Sequence, residues 1–409
     1  MTRVHILLLA ALRESVRGKN LEPDPHLSAE DWEKLLRLAH EQELLPLVYD
    51  AVYRCPSFQT LDKGLRDKYR EAALRAATRQ IIQNNEFLTL LLHAQAEGLD
   101  PTVLKGAVVR GLYPKPMLRP SVDEDLLVPQ DKVRAYHEFF LREGLFADDP
   151  HADPATAQEL SYHKEHSPTY IELHTSPLPS GSEAYGDCNA PFAGALERTV
   201  TVQIEDVTVR TLAPTDHLLF LICHAYKHFL HSGVGIRQVC DIGLFTQHNA
   251  SQLDWTHIVS ACRELRIDRF AAALFRIGAE HLGFSMPEAF ASYDTDPEPL
   301  LEDILSGGAC GANDIDRLHS STLTLDAVAA DRTGRRRGGA LRSVFLPVKD
   351  MAGHYPYLRR KPWLLPVAWT QRIWGYLSRQ KNPSPVNPAE SLRIGKERIA
   401  LLRQYGIID

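Results

Sequence analysis

The chain of 409 residues contains no Cys-x-x-Cys pair; its six cysteines, at 55, 188, 223, 240, 262 and 310, are scattered. A zinc ribbon or dithiol motif therefore has no support. A chain of this length builds a core without disulfide staples, so free thiols in a reducing compartment are expected. Long apolar runs are also missing. Ile6 to Leu12 is too short to span a bilayer and leads straight into Arg13 and Glu14 without a small-residue cleavage site. The run "WLLPVAW" from Trp363 is short and contains Pro366. Positive charge is not in excess. Lys and Arg number 46 against 52 Asp and Glu, a formal net charge of −6. That balance argues against non-specific binding to a nucleic-acid backbone and leaves room for a small basic nucleotide pocket. No internal repeat, low-complexity tract or H-E-x-x-H pattern occurs. The expectation is a soluble cytoplasmic protein without a nucleic-acid or membrane partner.

What is present divides the chain into four regions. Residues 1–100 read as helical. Ser28 is placed to cap a helix with Asp31 three positions on, and Trp32, Leu35, Leu36 and Ala39 share one face. A longer pattern from about Leu65 to Ala96 puts Leu74, Ile81, Ile82, Leu88 and Leu91 inward, with Gly98 as the stop. Residues 101–213 read as an α/β unit. It contains "PTVLKG", the short helix "AVVRGLY", the strand "VDEDLLV", an amphipathic helix ending at Gly144, the strand "TYIELHT", and a hairpin turning at Glu205-Asp206. Residues 214–284 return to helical period, starting at Thr215 or Asp216. Residues 285–409 read as a loop-rich segment to about 345, including the basic run "DRTGRRRGG", followed by a helical tail.

The chemistry concentrates in "RPSVDEDLLVP", Arg119 to Pro129. On a strand, residues two apart face the same way, so Asp123 and Asp125 share a face and Glu124 points to the other. Two carboxylates so placed repel one another unless a cation lies between them, and together they can ligate Mg²⁺. Two other Asp-x-Asp pairs follow loop-like sequence: Asp294/Asp296 reads as a turn, and Asp314/Asp316 has no strand context to support a metal site. In "TYIELHT", Tyr170, Glu172 and His174 share a polar face; if that strand neighbours the first, Glu172 completes a three-acid cluster. Lys105-Gly106 sits between a strand and a helix, where backbone approaches an anion closely. Arg119 can grip a phosphate, or pair with an acid. Further on, His224 and His228 share a helix face. With Lys227, Arg237 and Asp241 they suit a cleft lining or ordinary helix contacts.

Taken together, "VLKGAVVRGLYPKPMLRPSVDEDLLV", "IELHTSPL" and "LICHAYKHFLHSGVGIRQVCDIGLF" resemble a bacterial nucleotidyltransferase-like family of the polymerase-β-type superfamily. The resemblance extends to the N-terminal "DWEKLLRLAHEQELLPLVYDAV" and is loosest from 285 to 340. It implies an α+β fold, with a small mixed sheet and helices flanked by N- and C-terminal helical regions. It implies Mg²⁺ or Mn²⁺ on Asp123, Asp125 and Glu172, which are then the catalytic residues. It further implies a nucleoside triphosphate, ATP first among them, contacted by Lys105, Gly106, Arg119 and His174. One ion would lower the pKa of an acceptor hydroxyl and the other would hold phosphate oxygens. Attack at the α-phosphate would then expel pyrophosphate. The acceptor would be a small molecule or peptide, as for tailoring enzymes of bacterial biosynthesis. Val122 and Glu124 depart from the family's Gly and Ile, and Lys105-Gly106 stands where the superfamily has Gly-Ser. Glu124 keeps open a non-catalytic nucleotide-binding module, and phosphoryl transfer at the same site also stays open. A D-x-D glycosyltransferase fits less well, because a helical hundred residues precede the first strand.

Overall fold

The computed structural model describes residues 1–180, 183–231, 233–307, 315–334, 348–351, 355–359, 361–378 and 388–409. At the N-terminal end, apolar spacing of three and four produces helices. Helix α1 (Arg3–Ser15) buries Leu8, Leu9, Ala11 and Leu12. Helix α2 (Ala29–Glu41) is capped by Ser28, whose hydroxyl accepts from Asp31 N, and it buries Trp32, Leu35, Leu36 and Ala39. Helices α3 (Leu45–Val52) and α4 (Pro56–Gln59) complete the group. Helix α5 (Lys63–Ala96) ends at Gly98, which takes the left-handed conformation at φ +74°.

The inward face of α5 is not the expected one. Leu88 and Leu91 are buried, whereas Leu74, Ile81 and Ile82 are exposed. Gln80, Gln83 and Asn84 turn inward instead. The loop before the acid stretch sets this rotation, because its backbone groups need partners. Gln80 Oε1 accepts from Ser121 N at 2.6 Å, and Gln83 Nε2 donates to Val122 O at 3.1 Å.

The central sheet has seven strands: β1 (Thr102–Val103), β2 (Glu124–Leu127), β3 (Leu145–Ala147), β4 (Glu159–Lys164), β5 (Tyr170–His174), β6 (Thr199–Ile204) and β7 (Val207–Leu212). Their order is β3-β4-β5-β2-β1-β7-β6. The pairs β2–β5 and β1–β7 run parallel and the others antiparallel, so the sheet is mixed and the α+β class holds. Helix α6 (Ala107–Arg110) follows β1, and α7 (Val133–Arg142) follows β2. Alternation along the strands sorts the two faces. Leu126, Ile171 and Leu173 join a core with Phe87, Leu91, Phe139 and Phe140. Asp125, Glu172 and His174 point to the opposite face.

A helical layer follows the sheet. Helix α8 (Pro214–His231) begins one residue before the expected cap, and Asp216 lies in its first turn, 3.0 Å from Arg198 Nε. Helices α9 (Ile236–His248), α10 (Trp255–Glu264) and α11 (Asp268–His281) come next. The expected loop-rich segment is largely helical, with α12 (Glu288–Ala291), α13 (Glu298–Ser306) and α14 (Ile315–Thr333). The segment reads as loop because it is rich in Asp, Gly and Arg; within it α14 also carries several Ser and Thr hydroxyls. Here they serve packing: Thr324 Oγ1 donates to Leu230 O at 2.6 Å. Asp296 Oδ1 accepts from Glu298 N, so that Asp-x-Asp pair belongs to a helix start. Cys310, Asp314, the side chain of Asp316, and Arg335 to Arg337 of the basic run lie outside the described residues. Helices α15 (Val348–Met351), α16 (Leu365–Ser378) and α17 (Pro388–Gln404) complete the chain, with α17 packed on α14 and α14 on α8.

Candidate active site

The site forms where β2 and β5 run side by side. Their parallel register sets Asp125 opposite Glu172 and Leu127 opposite His174. The strand predicted to carry the third acid is therefore the neighbour of the first. His174 links the acids: its Nε2 lies 3.1 Å from Asp125 Oδ1 and 3.4 Å from Glu172 Oε2. Ligating atoms of Asp125, Glu172 and His174 all fall within 4.8 Å of one another. Asp123 joins through a cation rather than through this group. Lys105 Nζ is 3.1 Å from Asp123 Oδ2 and 3.0 Å from Asp125 Oδ2.

Lys105 therefore offsets the repulsion that the acid stretch would otherwise suffer. Burial alone would push the Asp123 carboxyl up, and the adjacent ammonium outweighs it, holding Asp123 below the usual carboxylate range. The same ammonium lies 3.0 Å from His224 Nε2. Burial first, and then Lys105, keep His224 well below the ordinary imidazole value, so its ring is neutral and can accept from Lys105. His228 is lowered to about 3, chiefly by burial. The two rings meet edge to face with centroids 4.5 Å apart, as their spacing of four predicts.

Four other expected residues occupy definite places. Arg119 and Asp241 are not in the acid cluster; they are buried and pair with each other through two hydrogen bonds of 3.1 and 2.7 Å. Tyr113 adds a third bond to Asp241 at 2.7 Å. Burial raises and Arg119 more than offsets, so Asp241 titrates below its usual range. This triad ties the loop before β2 to α9, and the Arg119 guanidinium is occupied there instead of facing outward. Lys227 and Arg237 are half-buried, and neither is held in an ion pair among the described residues. Their charges act on His228 together with those of Lys105 and Asp123, which places both cations around the site.

Glu124 has partners on the far face of the sheet. It is fully buried, forms a salt bridge with Arg110, and accepts from Ala107 N at 2.8 Å. Arg110 also donates to Asn84 Oδ1 at 2.7 Å. Gly106, at φ +54°, passes so close to the Glu124 carboxylate that a Cβ there would collide with it. Glu124 thereby holds the Lys105-Gly106 turn against β2 and positions Lys105 from behind.

Sequence reasoning missed Glu159, Gln238, Tyr113 and Arg110. Glu159 Oε2 lies 3.5 Å from His174 Nδ1, across the β4–β5 pair. The alternation of Leu160 and Tyr162 was the available sign of that strand. Gln238 Nε2 lies 3.5 Å from His224 Nδ1. Tyr113 and Arg110 carried no signal, since only the tertiary fold gives them acidic partners.

A mixed sheet with an acid pair, flanked by helices, is consistent with a nucleotidyltransferase fold. A family model described as an uncharacterised nucleotidyltransferase matches residues 28–283. The chain belongs to that family. No curated protein and no solved structure matches it.

Proposed function

We propose that this chain is a divalent-metal-dependent enzyme that moves a nucleoside monophosphate from a nucleoside triphosphate, ATP first, to a hydroxyl or similar group of a small-molecule or peptide acceptor. The observation that carries the reading is the convergence of Asp125, Glu172 and His174 across two parallel strands, joined to Asp123 by Lys105. These residues suit Mg²⁺ or Mn²⁺. Their donors are carboxylate oxygens with one imidazole. Asp125 Oδ2 is buried without a hydrogen bond, its nearest cation being Lys105. Asp123, Asp125 and Glu172 would hold the ion, with His174 beside them. When bound, it acidifies an acceptor hydroxyl and offsets charge on phosphate oxygens.

The remaining steps belong to side chains. Lys227 and Arg237, half-buried and without an ion pair among the described residues, attract the triphosphate, and Lys105 supplies a third positive charge at the acids. Neutral His224 orients the Lys105 ammonium by accepting its hydrogen. The acceptor hydroxyl loses its proton to solvent as its oxygen attacks the α-phosphorus, a new P–O bond forms, and the bond to the bridging oxygen breaks to release pyrophosphate. The buried Arg119–Asp241–Tyr113 triad fixes α9, and with it Arg237, relative to β2. The role of Arg119 is in this reading a positioning one.

The test is incubation with labelled ATP, Mg²⁺ or Mn²⁺, and candidate acceptors. Pyrophosphate release with an acceptor mass gain of one nucleoside monophosphate supports the proposal. Nucleoside diphosphate release would replace it with phosphoryl transfer, and tight binding without turnover with a nucleotide sensor.

A further inference from the structure

Between Met351 and Ala389 the chain has no aspartate or glutamate. It has six cationic residues there, Arg359, Arg360, Lys361, Arg372, Arg379 and Lys381, although the whole chain carries −6. Three of its five tryptophans fall in the same stretch, at 363, 369 and 374. All of this lies beyond the family match, which ends at residue 283.

The described part of the stretch packs around only three buried side chains, Met351, Leu358 and Ala368, with Leu364, Leu365 and Trp369 partly covered. So small a cluster leaves apolar surface in water. Trp363 is 72% exposed and Val367 43% exposed. Lys361, Pro362 and Pro366, which flank them, are exposed as well. Isolated exposed apolar residues are ordinary, but a bare indole beside a bare valine in an acid-free, cation-rich segment is a combination that meets one environment well. At a bilayer surface, indole rings settle at headgroup depth while Lys and Arg reach lipid phosphates. A nucleic acid would satisfy the cations but not Val367 and the prolines.

We propose that the described residues 361–367 dock on an anionic lipid bilayer, with Trp363 and Val367 entering the headgroup layer and Lys361 against lipid phosphate. No helix of the described residues is long and apolar enough to cross a membrane, and a surface-lying segment needs none. The proposal is independent of the chemistry assigned to the site.

The full-length protein would be sedimented with vesicles of phosphatidylcholine alone and of phosphatidylcholine with about one-third phosphatidylglycerol. We expect binding to the anionic vesicles only, a blue shift of tryptophan emission, quenching by brominated lipid, and release when salt rises to about 1 M. W363S/V367S should weaken binding about tenfold or more, with the circular dichroism spectrum and ATP binding unchanged. Should that variant misfold, quenching of the wild-type protein by brominated lipid decides alone. Failure to bind anionic vesicles would overturn the proposal. Equal binding by a correctly folded variant would do the same. So would tighter capture by a soluble polyanion such as heparin without a spectral shift, which would point to an acidic macromolecule as the partner.

Discussion

Glu124 sits in the middle of the acid stretch, fully buried, and still carries its charge usefully because Arg110 and the Ala107 amide meet it. By sequence alone it departs from the family's Ile and keeps a non-catalytic reading open. Its partners make it a brace for the turn that carries Lys105. Removing one member of such a pair strands the other charge in the interior. Glu124→Leu should therefore destabilise by about 3–5 kcal/mol, and adding Arg110→Met should recover most of the loss; urea denaturation of the wild type and the two variants measures both. On the site face, Asp123→Asn and Glu172→Gln should each cut pyrophosphate release by about a hundredfold or more while leaving the denaturation midpoint nearly unchanged. Full turnover by either variant would remove that residue from the catalytic set.

At the scale of elements, the site depends on strand neighbours and helix faces. The parallel β2–β5 pair supplies Asp125, Glu172 and His174, and α8 and α9 bring His224, Lys227, His228 and Arg237 toward them. Lys227→Met and Arg237→Met should each raise the KM for nucleotide about tenfold with a smaller change in kcat, since their charges act on a phosphate bound in ground and transition states alike. Initial rates over a range of ATP concentrations separate the two parameters. The far end of α8 is held by α17. Arg398, buried, donates to the carbonyl oxygens of Phe229 and of His231, the latter at 2.7 Å. These are last-turn carbonyls that the helix itself cannot satisfy. Arg398→Met should cost about 1–3 kcal/mol, read as a lower thermal midpoint.

At the scale of the molecule, buried imidazoles set the acid limit of stability. His217 is completely buried beside Thr211 Oγ1 at 3.1 Å, and burial lowers it to about 3 from 6.5. Below pH 6.5 the unfolded chain takes up a proton that the folded chain refuses. Stability should therefore fall as the pH drops from 6.5 toward about 5, by up to about 1.4 kcal/mol per pH unit for each such histidine. His217→Leu should flatten the dependence in that window, measured by urea denaturation at several pH values. The described cysteines, Cys55, Cys188, Cys223, Cys240 and Cys262, are all free and buried, so no cross-link supplements the cores.

The family resemblance implied the α+β class; the sequence by itself determined the strand that carries Asp123 and Asp125, the polar face of Glu172 and His174, and the pairing of His224 with His228 on one helix face. Each is a local property: a period of two or of 3.6, a cap, or a turn residue. It misjudged the inward face of α5 because exposed Leu74, Ile81 and Ile82 carry the same hydropathy as buried leucines, and the demand of the Ser121–Val122 backbone for partners is invisible locally. It missed β3, which has three residues, and β4, which is half-polar, and it missed α12 to α14, because their segment is rich in Asp, Gly and Arg. Only the tertiary structure decided that Arg119 belongs to Asp241, that Glu124 belongs to Arg110, and that Lys105 stands between Asp123 and Asp125. Those pairings join residues from 14 to 122 positions apart. A buried charge finds its partner through the fold's geometry, for which sequence neighbours hold no record.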